Sequence, residues 1–205
     1  MRILKVTEVG VAAAVGEAAT VLAQGRLVII PTDTVYGVAA DARLPGAGAL
    51  LYRAKNRPRD KAIPLLAADM EAVLAYGGLP GVEERRLAER FWPGPLTLVL
   101  PVAGRGESRT EGFRVPDDEV TRALLRAAGG VLRATSANRS GDPPALTADA
   151  AAAALGDTVA LVLDDGPARA GVPSSVARIT DGEVSVLREG ALSKARLTAV
   201  ARGDL

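Results

Sequence analysis

LVIIPTDTVYG, residues 27–37, reads as a buried strand running into a polar turn. Leu27, Val28, Ile29 and Ile30 form an apolar, largely β-branched run, the pattern of a strand covered on both faces. Pro31 stops it, because proline brings no N–H to a sheet ladder. Thr32, Asp33 and Thr34 then follow at the strand's carboxyl end, where open α/β sheets receive ligands. Just upstream, residues 11–24 place Val11, Val15, Ala19 and Val21–Leu22 at helical spacing, with Gly25 as the C-terminal cap. Helix then strand is thus the first motif, and the pattern recurs downstream. Short helices are predicted at 46–54, 68–76, 82–91, 118–127 and 147–154, and strands at 62–66, 96–102, 112–115, 131–135, 160–165, 174–179 and 183–189. Thr180-Asp181-Gly182 marks a hairpin between the last two strands. Early alternation followed by hairpins predicts a single α/β domain over residues 1–205, a twisted mixed sheet with parallel and antiparallel pairs and flanking helices. Its core is expected over about 8–190, with 191–205 as a C-terminal tail.

Composition narrows the chemistry. The chain has 205 residues, 48% apolar and 24% charged, which is globular and not disordered. Aromatic residues are 3%, so the core must be aliphatic. Cysteine and histidine are both absent. That removes disulfides, thiolate nucleophiles, Ser-His-Asp catalysis and the usual transition-metal ligands. Chemistry is left to Lys, Arg, Asp, Glu, hydroxyls, Asn and backbone amides. The net charge of +1 gives no global case for a polyanion partner. The N-terminal stretch lacks the apolar core of a signal peptide, and no run approaches a membrane span, so a cytoplasmic protein without a membrane partner is expected.

Polar residues cluster at strand ends. PTDTVYG (31–37) is a ligand turn or an ordinary turn whose Thr and Asp bond their own backbone. KNRPRDK (55–61) gathers Lys55, Arg57, Arg59 and Lys61 where Pro58 breaks the helix; it is a polyphosphate cradle or a solvated loop. ATSANRSG (134–141) offers small donors just past a strand, without matching a P-loop or a dinucleotide fingerprint. Arg114 in GFRVPDD and Ser174–Ser175 in GVPSSV stand in strand contexts where burial demands partners. From the residues alone, this is a site for a phosphate compound.

PTDTVYG, KNRPRDK, WPGPLTLVL, FRVPDD, TSANRSGDPP, GVPSSV and VLREG, in this order, resemble the YrdC/Sua5 family, the threonylcarbamoyl-AMP synthases. The resemblance implies a YrdC-like sheet with a basic concave cleft. It also implies synthesis of L-threonylcarbamoyl-adenylate from L-threonine, bicarbonate or CO2, and ATP, with release of pyrophosphate, for the N6-threonylcarbamoyl modification of tRNA adenosine. Carried over by position, Lys55 and Arg57 stabilise charge. Lys55, Arg57, Lys61, Thr110, Asn138 and Arg188 contact ATP. Thr34, Arg114, Ser136 and Ser174 contact L-threonine, with Leu66 matching a threonine-side position only, since some relatives have a histidine there. Ser175 and Leu146 also depart from the family pattern. Magnesium is expected with ATP, with no protein-ligated metal. The implied partners are the downstream tRNA threonylcarbamoyl-transfer machinery and, directly, tRNA or double-stranded RNA. The chain's length matches the short, stand-alone form. The competing readings are an RNA-binding module of the same fold without turnover and a related carbamoyl-transfer enzyme.

Overall fold

Ten strands form one mixed sheet in the computed structural model, which describes residues 1–104 and 109–204. The strands are β1 (Arg2–Lys5), β2 (Val28–Ile30), β3 (Gly37–Asp41), β4 (Leu65–Ala67), β5 (Leu96–Pro101), β6 (Thr110–Arg114), β7 (Val131–Ser136), β8 (Leu161–Asp164), β9 (Ser175–Thr180) and β10 (Glu183–Arg188). The helices are α1 (Val6–Val9), α2 (Val11–Ala23), α3 (Ala47–Lys55), α4 (Met70–Ala75), α5 (Val82–Phe91), α6 (Glu119–Ala127), α7 (Ala148–Leu155) and α8 (Lys194–Arg202). Across the sheet the order is β1-β8-β2-β3-β7-β4-β6-β5-β9-β10. The β1/β8, β8/β2, β4/β6 and β5/β9 pairs are parallel, and the other pairs are antiparallel.

The period-two alternation of a strand sorts its side chains between two helical layers. Val28 and Ile30 of β2 pack with Leu161 and Leu163 of β8 against α2 and α6. Ile29 and Val162, on the opposite face of the same strands, pack with Leu51 of α3 and Ala151 of α7. A third cluster joins Leu96, Leu98 and Leu100 of β5 to Leu87 and Phe91 of α5 and to Leu197 and Val200 of α8. With so few aromatic residues, small aliphatic side chains supply nearly all of this buried contact.

Several elements differ from the sequence expectation. β1 and β3 have no strand signal strong enough to read: β1 is exposed at the sheet edge, and β3 (GVAAD) lacks β-branched residues apart from Val38. β3 forms because β2 and β7 flank it and supply ladder partners on both sides. The strand expected at 62–66 lies at Leu65–Ala67, after Pro64. Residues 191–204, expected as a tail either helical or frayed, carry the helix α8, and the difference is that it is docked, with Leu197 fully buried. The hairpin is as read: Asp181 (φ 52°) and Gly182 (φ 75°) both occupy the left-handed region that a type I′ turn requires.

Sheet register brings the polar turns together. Gly37 of β3 pairs with Ser136 of β7, and Ala137 N–H donates to the Tyr36 carbonyl at 2.8 Å. Leu66 of β4 pairs with Arg114 of β6, and Leu96 of β5 with Ser175 of β9. The PTDT turn, the Ser136–Asn138 turn, the end of β6 and the start of β9 thereby meet on one side of the sheet.

Candidate active site

Arg114 is the buried centre of one half of the site, 6% exposed at the end of β6. Its Nε donates to the Gly94 carbonyl at 3.0 Å, Nη1 to Thr34 Oγ1 at 2.8 Å, and Nη2 to Asp33 Oδ1 at 2.5 Å. Asp33 also accepts the Asp117 N–H at 3.1 Å. A guanidinium has five N–H donors, so this arrangement holds Arg114 rigid and leaves donors for a ligand carboxylate. Burial pulls the guanidinium below its ordinary value, and the Asp33 carboxylate works against that pull. The turn itself is locked locally. Thr32 Oγ1 donates to the Val35 carbonyl at 2.6 Å, and the Thr121 hydroxyl on α6 donates to the Pro31 carbonyl at 2.5 Å.

Lys55 organises the other half. It ends α3, lies 1% exposed, and donates from Nζ to the Ser136 carbonyl and to the Asn138 carbonyl at 2.5 Å, with Ser136 Oγ and Asn138 Oδ1 further out at 3.4 and 3.3 Å. In return, the Ser140 N–H donates to the Lys55 carbonyl at 3.0 Å. Asn138 Nδ2 donates to the Asp142 carbonyl at 2.7 Å, closing the turn. Burial, with the Arg57 charge added to it, pushes the Lys55 ammonium down to about 8.

Cations from distant segments converge between these halves. Arg57 is fixed by Nε to the Lys61 carbonyl at 2.9 Å and by Nη2 to the Ala62 carbonyl at 3.0 Å. Arg188 donates to the Ser174 carbonyl at 2.8 Å and to Ser174 Oγ at 3.1 Å, and that hydroxyl lies 2.9 Å from Thr97 Oγ1. Burial and then the Arg57 charge lower Arg188, and the Arg188 charge in turn lowers Arg114. Like charges are thus linked in series, Lys55 to Arg57, Arg57 to Arg188 and Arg188 to Arg114, beside the hydroxyls of Thr34, Ser136 and Ser174. Such an array is stabilised by a polyanion.

The family model described as telomere recombination, Sua5_yciO_yrdC, matches residues 20–190. The chain belongs to the Sua5/YciO/YrdC family. It is 35% identical over 193 residues to the threonylcarbamoyl-AMP synthase of Bacillus subtilis, covering 91% of this chain and 56% of that protein. With the threonylcarbamoyl-AMP synthase of Chromohalobacter salexigens it shares 36% identity over 176 residues, covering 82% of this chain and 94% of the relative. The solved structure of Pyrococcus abyssi Sua5 complexed with L-threonine superposes with a TM-score of 0.89 at 32% identity, covering 98% of this chain and 61% of that one. The chain therefore spans little more than half of two of these relatives and nearly all of the third.

In this Sua5/YciO/YrdC member the residues expected from the sequence fall in different places. Thr34, Arg114, Ser136, Asn138, Ser174, Lys55, Arg57 and Arg188 are brought together by the hydrogen bonds and charge couplings above. Lys61 contributes its carbonyl to Arg57, while its side chain is exposed. Thr110 is exposed at the far end of β6, paired with Pro101, and four residues along a strand separate it from Arg114 by about 13 Å. Leu66 packs in the core with Val120 and Leu124. Two further residues of the site were given no role by the sequence reading. Asp33 sits inside a quoted motif, but its partner lies 81 positions away. Thr97 shows only as a lone hydroxyl in the apolar run LTLVL, and it is buried beside Ser174.

Proposed function

We propose that this chain makes L-threonylcarbamoyl-adenylate from L-threonine, bicarbonate or CO2, and ATP, releasing pyrophosphate. What supports the reading is a buried Arg114 held by three hydrogen bonds and linked by charge through Arg188 and Arg57 to Lys55. Arg114 suits the carboxylate of a small amino acid, and the linked cations a triphosphate. The names of the relatives and the L-threonine complex of the P. abyssi protein support the same assignment.

In this reading Arg114 binds the threonine carboxylate, and Thr34, Ser136 and Ser174 surround the rest of the amino acid. Arg57, Arg188 and Lys61 face the phosphates, while Asn138 serves the nucleotide. The neutral amine of threonine attacks CO2, forming the N–C bond of a carbamate and releasing a proton to solvent. A carbamate oxygen then attacks the α-phosphorus of ATP, and the bond to pyrophosphate breaks. Charge accumulates on phosphate oxygens, so fixed cations supply the main stabilisation. The chain has no histidine, and Asp33 is committed to Arg114, so no side chain is assigned as base. Among the described residues no group of carboxylates converges as a metal site. In this reading magnesium arrives with the ATP. The labile adenylate passes to a tRNA-modifying transferase.

The test is pyrophosphate release from Mg-ATP and bicarbonate, with and without L-threonine. Release that needs both threonine and bicarbonate is expected. RNA binding without such release would favour the non-catalytic module instead. Arg57→Ala is expected to lower turnover by about a hundredfold or more, judged from comparable transition-state donors, with an unchanged circular dichroism spectrum.

A further inference from the structure

A cavity of about 350 Å3 lies against the loop that holds Arg114. Trp92, Pro93 and Val115 line it. Gly94, the next residue of that loop, accepts the Arg114 Nε hydrogen bond and donates to the Val115 carbonyl at 2.8 Å. Arg114 and Val115 are successive residues of an extended segment and point to opposite sides. None of the residues assigned to the site lines the cavity, which shares with the site this loop and α6, where Thr121 holds the Pro31 carbonyl and Arg122 faces the cavity.

Its lining is mixed in a specific way. Met70, Trp92 and Val115 are apolar, while Arg85 from α5 and Arg122 from α6 add two guanidinium groups. Asp69 and Glu89 line the same cavity. Among the described residues no ion pair engages either arginine or either of these carboxylates. Arg122 Nε is in addition buried with no hydrogen-bond partner. Buried donors are almost always paired, so Arg122 stands at the cavity with hydrogen-bonding capacity unused. Asp69 keeps one carboxylate oxygen free, the other accepting the Ala72 N–H at 2.9 Å as the cap of α4.

We propose that this cavity is a second ligand site, one that takes a zwitterionic α-amino acid with an apolar side chain. Its carboxylate pairs with Arg122 and Arg85, its ammonium with Glu89 and Asp69, and its side chain packs on Trp92 and Met70. A simple anion would be repelled by the two carboxylates and a simple cation by the two arginines. A zwitterion is complementary to both pairs. This goes beyond the reaction proposed above and stands or falls without it, because binding is read directly.

Trp92 is the only tryptophan of the chain, so the fluorescence comes from one side chain, and that side chain lines the cavity. The experiment titrates L-leucine to about 10 mM against Trp92 fluorescence, with calorimetry on the same samples. L-leucinamide lacks the carboxylate and isocaproate lacks the amine, so each isolates one half of the zwitterion. The expected result is saturable leucine binding that persists at saturating L-threonine, weakens about tenfold or more for each analogue, and is lost in Arg122→Gln. Absence of saturable heat and fluorescence change would overturn the proposal. So would displacement by threonine, equal binding of either analogue, or unaltered binding in Arg122→Gln.

Discussion

Arg114 and Asp33 form the pair on which the proposed threonine half depends. Both are buried, and a buried guanidinium without its carboxylate is strongly unfavourable. Asp33→Asn keeps the shape and removes the charge. It is expected to destabilise the fold by about 3 kcal/mol and to raise the threonine KM more than it lowers kcat, as checked by urea unfolding and initial rates. Lys55 gives the pH dependence. Its folded value of about 8 lies below the ordinary 10.5, so the folded state releases this proton first. Between those values the unfolded chain binds more protons, and the contribution of Lys55 to stability rises with pH. Over the same window the cleft loses one positive charge. ATP affinity should therefore fall as pH rises through about 8, a trend that calorimetric ATP titrations would show and that Lys55→Met should lack. Arg114 was readable as a charge out of place in a strand. Asp33 was not, since nothing local distinguishes it from a turn aspartate capping its own backbone.

At the scale of elements, the β9–β10 hairpin positions Ser174 and Arg188. Their register shifts between Val186 and Arg188, a bulge that re-aims the strand end toward Ser174. The following turn is drawn in by Ser175, whose Oγ donates to the Leu192 carbonyl at 2.7 Å and accepts the Gly190 and Leu192 N–H groups at 3.1 and 2.9 Å. A Cβ on Gly190 would strike the Pro173 carbonyl and come within 2.7 Å of the Ser175 backbone nitrogen. Gly190→Ala is expected to push the start of β9 away, destabilising by about 1–3 kcal/mol and lowering kcat by tenfold or so. Thermal unfolding with parallel rate measurements would check both. The hairpin turn was legible because Asp-Gly carries the required left-handed preference. The bulge and the Ser175 staple were not, because they arise from contacts across strands.

Over the whole molecule, α8 is part of the core. Leu197 is fully buried against α5 and the sheet, and Arg86 of α5 donates to the Ala201 carbonyl at 3.1 Å. Leu197→Ala is expected to reduce stability by about 2–5 kcal/mol while leaving both substrate KM values unchanged, because the helix lies away from the cleft; denaturant titration and steady-state kinetics would decide. The α/β class, the chemistry left without His or Cys, and the polar motifs at strand ends were all open to reading along the chain. They depend on composition, proline and glycine punctuation, and apolar periodicity, which are local properties. The place of β3 in mid-sheet, the docking of α8, and the Asp33–Arg114 and Lys55–Ser136–Asn138 contacts were closed to it. Each joins segments far apart in sequence, and such pairings exist only once hydrophobic packing has brought the strands into register.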